Sequence, residues 1–487
     1  MEKANTSYQH NHSYSFLWLA IGLLPLLLIA LLLPVTPQDY WWYLRLGQDI
    51  LKAGHVPTVE TYSFTYAGQP TVNHPWLSAV ILWIVYLYGG LNLTFLLRAI
   101  CIGAAYGMLW VWERQCGAGP RLASILMVIA GLAGSSNWSI RPQMFAYPLF
   151  VLTLWLLWKW HKGDNKVIWT LPVISLFWAN LHDSFVLVFL LGVAALIFGQ
   201  GERKALLLSL ITSFIVTLIN PQGINLWISN FESAISPASR NLSVEWLPPT
   251  NLGWQMNIFF AWIVALAPLA SFSTRRLSTL EWVWFIGLTW MSLSGIRYVV
   301  WGLLLLAAIS AYLLSDWDGL WLDKPPATIH PKFNFIFAIL LLLISLVALP
   351  WSRNRLDIKS APLVSPDTPI TATQWLSEHP ELPGPLWSDL SFSSYLIFAL
   401  PSRPIWVDTR FERTYPVEQY ERYIEIASAA PDWQEVLDQE NINLLMISAS
   451  GEPRLSEVLH NSNNWCKQYG DQTALIFSRR MPGETCP

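Results

Sequence analysis

Charge is what this chain has least of. Of its 487 residues only 13% are Asp, Glu, Lys or Arg, about half the share of an ordinary soluble domain. That shortage excludes a soluble enzyme, and the 53% of hydrophobic residues points to a membrane protein. Net charge is −3, which leaves no basic excess for binding nucleic acid. The chain also lacks internal repeats, low-complexity tracts and any Gly-rich phosphate loop. Cysteine is sparse, with four residues in all. Cys101 and Cys116 lie in or next to apolar segments and read as packing residues.

The few charges are unevenly placed. Residues 351–487 hold 29 of them (18 acidic, 11 basic), and the first 350 residues hold 32. The expected organisation is a cytoplasmic tail over 1–15, a multi-span α-helical membrane domain over 16–350, and a small extracytoplasmic α/β domain over 351–487. Phe16 to Thr36 is long enough to span a bilayer. Further apolar segments fall near 77–89, 93–112, 122–138, 146–160, 167–181, 184–200, 205–219, 257–273, 278–295, 297–315 and 333–350. Lys3 is the only basic residue before the first segment, and no cleavage site follows, so a secretory signal is not indicated.

Basic residues fix the sidedness. Arg114, Arg121, Lys159, Lys162, Lys166, Arg203, Lys204, Arg275, Arg276, Lys324 and Lys332 join Lys3 on the cytoplasmic side. The opposite connections carry only Arg45, Lys52, Arg141, Arg240 and Arg297. Both sets agree only if 77–89 is a partial or re-entrant segment. That leaves about eleven crossings, with the tail outside. Arg98, inside a span, would snorkel.

In the tail, 385–389, 405–409 and 443–447 read as strands, with helices over 418–426, 433–439 and 455–460. Residues 465–469 and 474–478 read as a closing hairpin. Cys466 and Cys486 both fall in this compartment, where disulfides persist. A bridge would staple the chain end; two unpaired thiols is the other reading.

The outer connections collect the polar groups. Asp39 follows the first helix directly. After it, Trp42, Leu46 and Ile50 form one side of an amphipathic helix that would lie flat in the membrane interface. Asn73-His74, Arg141-Pro-Gln143, Asn180-Leu-His182-Asp183, Glu245-Trp246 and Arg297-Tyr298 lie on the same side. Each alone has a plain structural explanation: snorkelling arginines, a capping histidine, a solvated glutamate. Together they predict that Asp39, His74, Arg141, His182, Glu245 and Arg297 face one outward cavity. Carboxylates can take a proton from a hydroxyl and arginines can hold phosphate, which suits an anionic, lipid-linked substrate. Paired with an arginine, Asp39 would stay ionised and orient the hydroxyl; in an apolar pocket it would become a base.

An acid after the first helix, a flat amphipathic segment and a short re-entrant hairpin resemble the GT-C class of integral-membrane glycosyltransferases. The strings Asp39-Tyr-Trp-Trp-Tyr-Leu-Arg-Leu-Gly, Tyr62-Ser-Phe-Thr, Asn73-His-Pro-Trp-Leu, Arg141-Pro-Gln, Trp178-Ala-Asn-Leu-His and Glu245-Trp resemble a poorly characterised bacterial branch of that class. In the tail, Ser394-Tyr-Leu, Val407-Asp-Thr-Arg, Trp465 and Tyr469-Gly-Asp resemble its exported domain. The resemblance implies inverting transfer of a sugar from a polyprenyl-phosphate donor to an extracytoplasmic acceptor, in a bacterial inner membrane. It makes Asp39 the base or acceptor-orienting acid, with Glu245 and His182 as further catalytic candidates. Arg141 or Arg297 would hold the lipid phosphate, and His74, Asn180 and Asp183 would contact substrate.

Relatives carry a second acid near Arg141-Pro-Gln143, and this chain has none in 137–143. Asp183 or Glu245 would have to substitute, and a divalent cation has no defined ligand set. Two other readings stand beside the transferase. One is a non-enzymatic membrane protein that binds a membrane partner through its exported domain. The other is a transporter, which would favour an inverted repeat.

Overall fold

The computed structural model describes residues 2–235, 244–321, 331–358, 361–382, 384–410, 414–480 and 486, with helix membership alone for 2–14, 234–235, 244, 318–321 and 331. It divides into two compact units. The first comprises 1–33, 88–220 and 243–361; the second comprises 34–87, 221–242 and 362–487. The second unit thus joins residues 362–487 with two earlier stretches, 34–87 and 221–242.

Every apolar segment read from the sequence is helical. Local chemistry sets several helix starts. Ser278 opens the helix Thr279–Ser294 with a reciprocal capping box: its hydroxyl accepts from Glu281 N–H (3.3 Å), and its own N–H donates to the Glu281 carboxylate (2.7 Å). Pro120 and Pro172 occupy first-turn positions, where a missing N–H costs nothing. The 40-residue helix Trp76–Gln115 is interrupted at Gly90, whose φ of 59° and ψ of −151° suit only glycine. Residues 76–87 fall in the second unit and 88–115 in the first.

The estimate of about eleven crossings is not reproduced. Among the described residues, four helices are long and apolar enough to span: Ser15–Leu32, Trp76–Gln115, Trp254–Phe272 and Ile296–Trp317. Hydropathy counting merges a helix with the apolar turn beside it. Residues 167–181 divide into the 3₁₀ turn Val167–Thr170 and the 11-residue helix Leu171–Leu181. At about 1.5 Å per residue such a helix falls well short of a ~30 Å hydrocarbon core.

The first unit is packed around large aromatics. Trp138, Trp160, Trp178 and Trp301 are fully buried, and Tyr106 meets Trp138 edge-on at 5.4 Å. Phe333, Ile336, Leu340, Leu343 and Val347 of the helix Pro331–Ala348 are exposed, an apolar surface of the kind lipid covers. Arg98 does not snorkel. It is completely buried and donates to the carbonyls of Leu33 (2.5 Å) and Trp138 (3.4 Å). Arg353, 3% exposed, donates to Leu31 O (2.6 Å). Both guanidiniums thus satisfy carbonyls at the C-terminal end of the first helix, where unpaired acceptors and the negative end of the dipole favour cations.

The second unit is built on a four-stranded sheet in the order β1 (Leu386–Ser388), β2 (Leu444–Ser448), β4 (Ala474–Arg479), β3 (Trp465–Gly470). β1 and β2 run parallel with Leu386 opposite Leu444. The other pairs are antiparallel. Alternation along β2 sends Leu445 and Ile447 into one core with Trp387, Trp406, Tyr420 and Phe477. Leu444 and Met446 enter another with Leu386, Phe392, Leu396 and Ile476. A sheet buried on both faces follows. Cys466 on β3 is joined by a disulfide to Cys486.

Two expectations are corrected here. The helix Tyr40–Ala53 turns its Trp42, Leu46 and Ile50 stripe into the second of these cores, and Trp42 N–H donates to Ser394 Oγ at 3.0 Å. The same periodicity serves a protein core as well as a lipid interface. Residues 405–409 are not a sheet strand. Ile405 forms isolated bridges to Leu386 and Ser63, with Ile405 N–H donating to Tyr62 O (3.1 Å) and Phe64 N–H to Ile405 O (3.0 Å). Pro404 removes a donor that a ladder would need.

Asp389 follows β1 and Glu452 lies beyond β2, at the carboxyl ends of the parallel pair. Glu452 is hydrogen-bonded to Asp389 and accepts from Tyr423 (3.3 Å) and Ser448 N–H (2.9 Å). Burial, and then the adjacent Asp389 charge, push the Glu452 carboxyl up to about 9, so it carries a proton at neutral pH. The unfolded chain releases that proton near pH ~4.3. Stability from this group is therefore complete below that pH and is lost as pH rises through about 9. Thermal unfolding of the full chain should show Tm falling from pH 6 to pH 9.5. Glu452→Gln should flatten that slope and stabilise the chain at the alkaline end by ~1–3 kcal/mol. A variant retaining the parental slope would contradict the assignment.

Candidate active site

In the first unit, three of the candidate residues come together. Arg141, at the start of the helix Gln143–His161, donates through Nη1 to both oxygens of Glu245, at 2.6 and 2.8 Å. Arg297 lies 4.5 Å over the ring of Trp246, which meets Tyr298 edge-on at 5.9 Å. Gln143 Nε2 donates to Arg297 O (3.4 Å), and Ile296 N–H to Leu247 O (3.0 Å), so the short turns Val244–Trp246 and Ile296–Tyr298 are held side by side. Burial alone would push the Glu245 carboxyl up. Arg141 and then Arg297 outweigh it and hold the group below the ordinary glutamate value.

An ionised Glu245 bonded by Arg141 is a weaker proton acceptor than an ordinary glutamate. The sequence places Glu245 among catalytic candidates; the geometry makes it the partner of Arg141.

His182 makes the capping contact that its plain structural reading describes. His182 Nδ1 accepts from Ser184 N–H (3.1 Å) and lies 2.8 Å from Ser184 Oγ, capping the turn Asp183–Phe185. Asn180 Nδ2 donates to Leu176 O (2.8 Å) and Ile219 O (3.0 Å), tying the end of its helix down. Asp183 begins that same turn and is half-buried.

Asp39 and His74 belong to the second unit. Asp39 has φ 57° and ψ −59°, a conformation that L residues rarely adopt. It precedes the helix Tyr40–Ala53 but makes no side-chain capping bond to it. Its Oδ1 instead accepts from Thr409 Oγ1 at 3.2 Å. His74 is 5% exposed, beside Asn73, whose amide donates to Pro57 O (2.8 Å).

Thr409 belongs to a buried ionic network that sequence reading did not assemble. Arg410 meets Glu60 at 2.7 and 2.8 Å and Asp408 at 2.5 and 2.9 Å. Tyr415 donates to Asp408 Oδ2 (2.7 Å), and Tyr62 and Ser63 N–H to Glu60 Oε1 (2.6 and 3.0 Å). Glu60 is 1% exposed and Asp408 fully buried. Desolvation would lower the Arg410 pKa, but Asp408, Tyr415 and Glu60 raise it well above the ordinary arginine value. The sequence signal was the Asp408-Thr-Arg410 string; nothing local pointed to Glu60. Among the described residues no group of three or more His, Cys, Asp or Glu converges, so no ligand set for a divalent cation is assigned.

Neither a family model nor a curated sequence matches the chain. Solved structures do share its fold. The archaeal oligosaccharyltransferase AglB from Archaeoglobus fulgidus, in complex with an inhibitory peptide and a dolichol-phosphate, aligns with a TM-score of 0.60 at 12% identity over 97% of this chain and 75% of its own. The arabinofuranosyltransferase AftD from Mycobacteria gives 0.53 at 16% identity, over 95% and 41%. ArnT from Cupriavidus metallidurans, bound to undecaprenyl phosphate, gives 0.50 at 12% identity, over 96% and 98%. All three are GT-C glycosyltransferases, and the fold of this chain is the GT-C fold.

Proposed function

We propose that this chain is a membrane glycosyltransferase that moves a sugar from a polyprenyl-phosphate donor to an acceptor outside the cytoplasm, in a bacterial inner membrane with residues 351–487 exported. The observation that carries the reading is the GT-C fold running through nearly the whole chain and nearly the whole of ArnT, whose structure holds undecaprenyl phosphate. AglB, with its bound dolichol-phosphate, supports the same donor chemistry.

In this reading Asp39 orients the acceptor hydroxyl and takes its proton as the glycosidic bond forms. Thr409 holds the carboxylate, and the strained backbone at Asp39 is a cost that the buried network around Arg410 sustains. Arg141 or Arg297 holds the phosphate that leaves as the sugar departs, as the family resemblance implies. His74, Asn180 and Asp183 shape the surroundings.

Undecaprenyl phosphate should bind the purified full chain saturably. Arg297→Ala should weaken that binding about tenfold, one charge-assisted contact, while leaving Tm within a few degrees of the parent. Binding that is absent, or indifferent to Arg297→Ala, would count against the assigned phosphate role and favour the partner-binding alternative.

A further inference from the structure

The second unit contains a small pocket that plays no part in the assignments above. It is a cavity of about 100 Å³ lined by Arg45, Thr61, Tyr62, Leu400, Arg403 and Ile405, among others. Pockets that enclose a whole small molecule run about 300–1,000 Å³, so this one has room for a single chemical group. Asp39 is not among its lining residues. We infer that this pocket binds a phosphoryl group through Arg45 and Arg403.

The donors carry the argument. Among the described residues, Arg45 commits Nε to both oxygens of Asp49 (3.1 and 2.9 Å), which leaves its two Nη groups. Arg403 commits Nη1 to Leu382 O (3.2 Å), which leaves Nε and Nη2. Tyr62 turns its hydroxyl to Asp49 (2.9 Å) and adds no charge. Asp49 offsets Arg45. Arg403 has no carboxylate bonded to it, and Glu381 acts on it only at a distance. One positive charge therefore remains at the pocket.

Geometry selects the anion. The two guanidiniums stand on separate elements, one on the helix Tyr40–Ala53 and one in the turn after the helix Leu390–Ala399. A planar carboxylate is saturated by one guanidinium fork, whereas a phosphoryl group has three oxygens and can bridge two. The remaining wall is apolar: Ile397, Leu400 and Ile405 are 4%, 7% and 1% exposed. That wall suits the carbon side of a phosphate ester. Burial holds the Arg403 guanidinium below its ordinary pKa, with Glu381 partly restoring it; a bound anion would relieve that cost.

Two sources share this chemistry: a free phosphate, and a phosphate esterified to a carbon chain. Calorimetric titration of the full chain in detergent with inorganic phosphate and with hexyl phosphate distinguishes them. One saturable site is expected. Arg403→Gln should weaken it about tenfold or more, and Arg45→Lys, which keeps the charge but loses the fork, severalfold, each variant melting near the parental Tm. Tighter binding of hexyl phosphate assigns an esterified source, and equal binding a free one. The inference is overturned if neither phosphate binds, if Arg403→Gln and Arg45→Lys both leave binding unchanged, or if hexanoate binds as tightly as hexyl phosphate. Because Asp39, Arg141 and Arg297 are absent from the pocket, this result stands apart from the glycosyltransferase reading.

Discussion

Replacing Arg410 by Ala is expected to cost the second unit ~3–5 kcal/mol, because it strands two buried carboxylates, Glu60 and Asp408, that now share one cation. Domain stabilities are about 5–15 kcal/mol, so this single change takes away a large part of the total. The effect should register as a marked fall in Tm of the full chain and faster hydrogen exchange along Leu444–Ser448. The pair Arg422–Glu440, equally short at 2.7 Å but with a 42% exposed arginine, supplies the contrast. Arg422→Ala should cost less than about 1 kcal/mol, since solvent screens it. Equal losses for the two variants would show that burial is not what gives the Arg410 network its weight.

Asp39→Asn is expected to reduce sugar transfer ~10²–10⁴-fold, the range that a positioned proton acceptor contributes. The substitution is nearly isosteric, and its amide oxygen can still accept from Thr409, 3.2 Å away in the parent. Folding should therefore survive, and the loss should appear in turnover rather than in expression or Tm. Thr409→Val removes the hydroxyl that holds Asp39. It should lower turnover by a smaller factor, and Thr409→Ser should restore it.

Much of the fold was legible because hydrophobic periodicity and Gly or Pro punctuation act locally. The apolar runs became helices, and the hairpin 465–469/474–478 lies within β3 and β4. What pattern reading could not resolve was the partner of each apolar face. Trp42, Leu46 and Ile50 have the spacing of an interfacial helix, yet the surface that covers them comes from Phe392 and Leu396, some 350 positions later. Helix length is hard to read for a related reason, since apolar turns such as Val167–Thr170 count as span in a hydropathy window.

The candidate site was read in pieces. Asp39, Arg141, Glu245 and Arg297 stand out as charges in an apolar context, and that context is a sequence property. Their pairing is not. Nothing near Glu245 in the sequence points to Arg141, which bonds both its oxygens, and Glu60 gives no signal because its partner Arg410 lies 350 residues away. Asp49, Arg45 and Arg403 likewise acquire meaning only through the pocket they line or support.

The measurement that tests the central claim most directly is transfer of a radiolabelled sugar from undecaprenyl-phosphate donors by the full chain in proteoliposomes, read as release of undecaprenyl phosphate across a panel of donors. At least one donor should turn over with the parent chain, and its turnover should collapse in a folded Asp39→Asn variant. Turnover that Asp39→Asn leaves intact, or no release from any donor by a chain that binds undecaprenyl phosphate, would contradict the assignment.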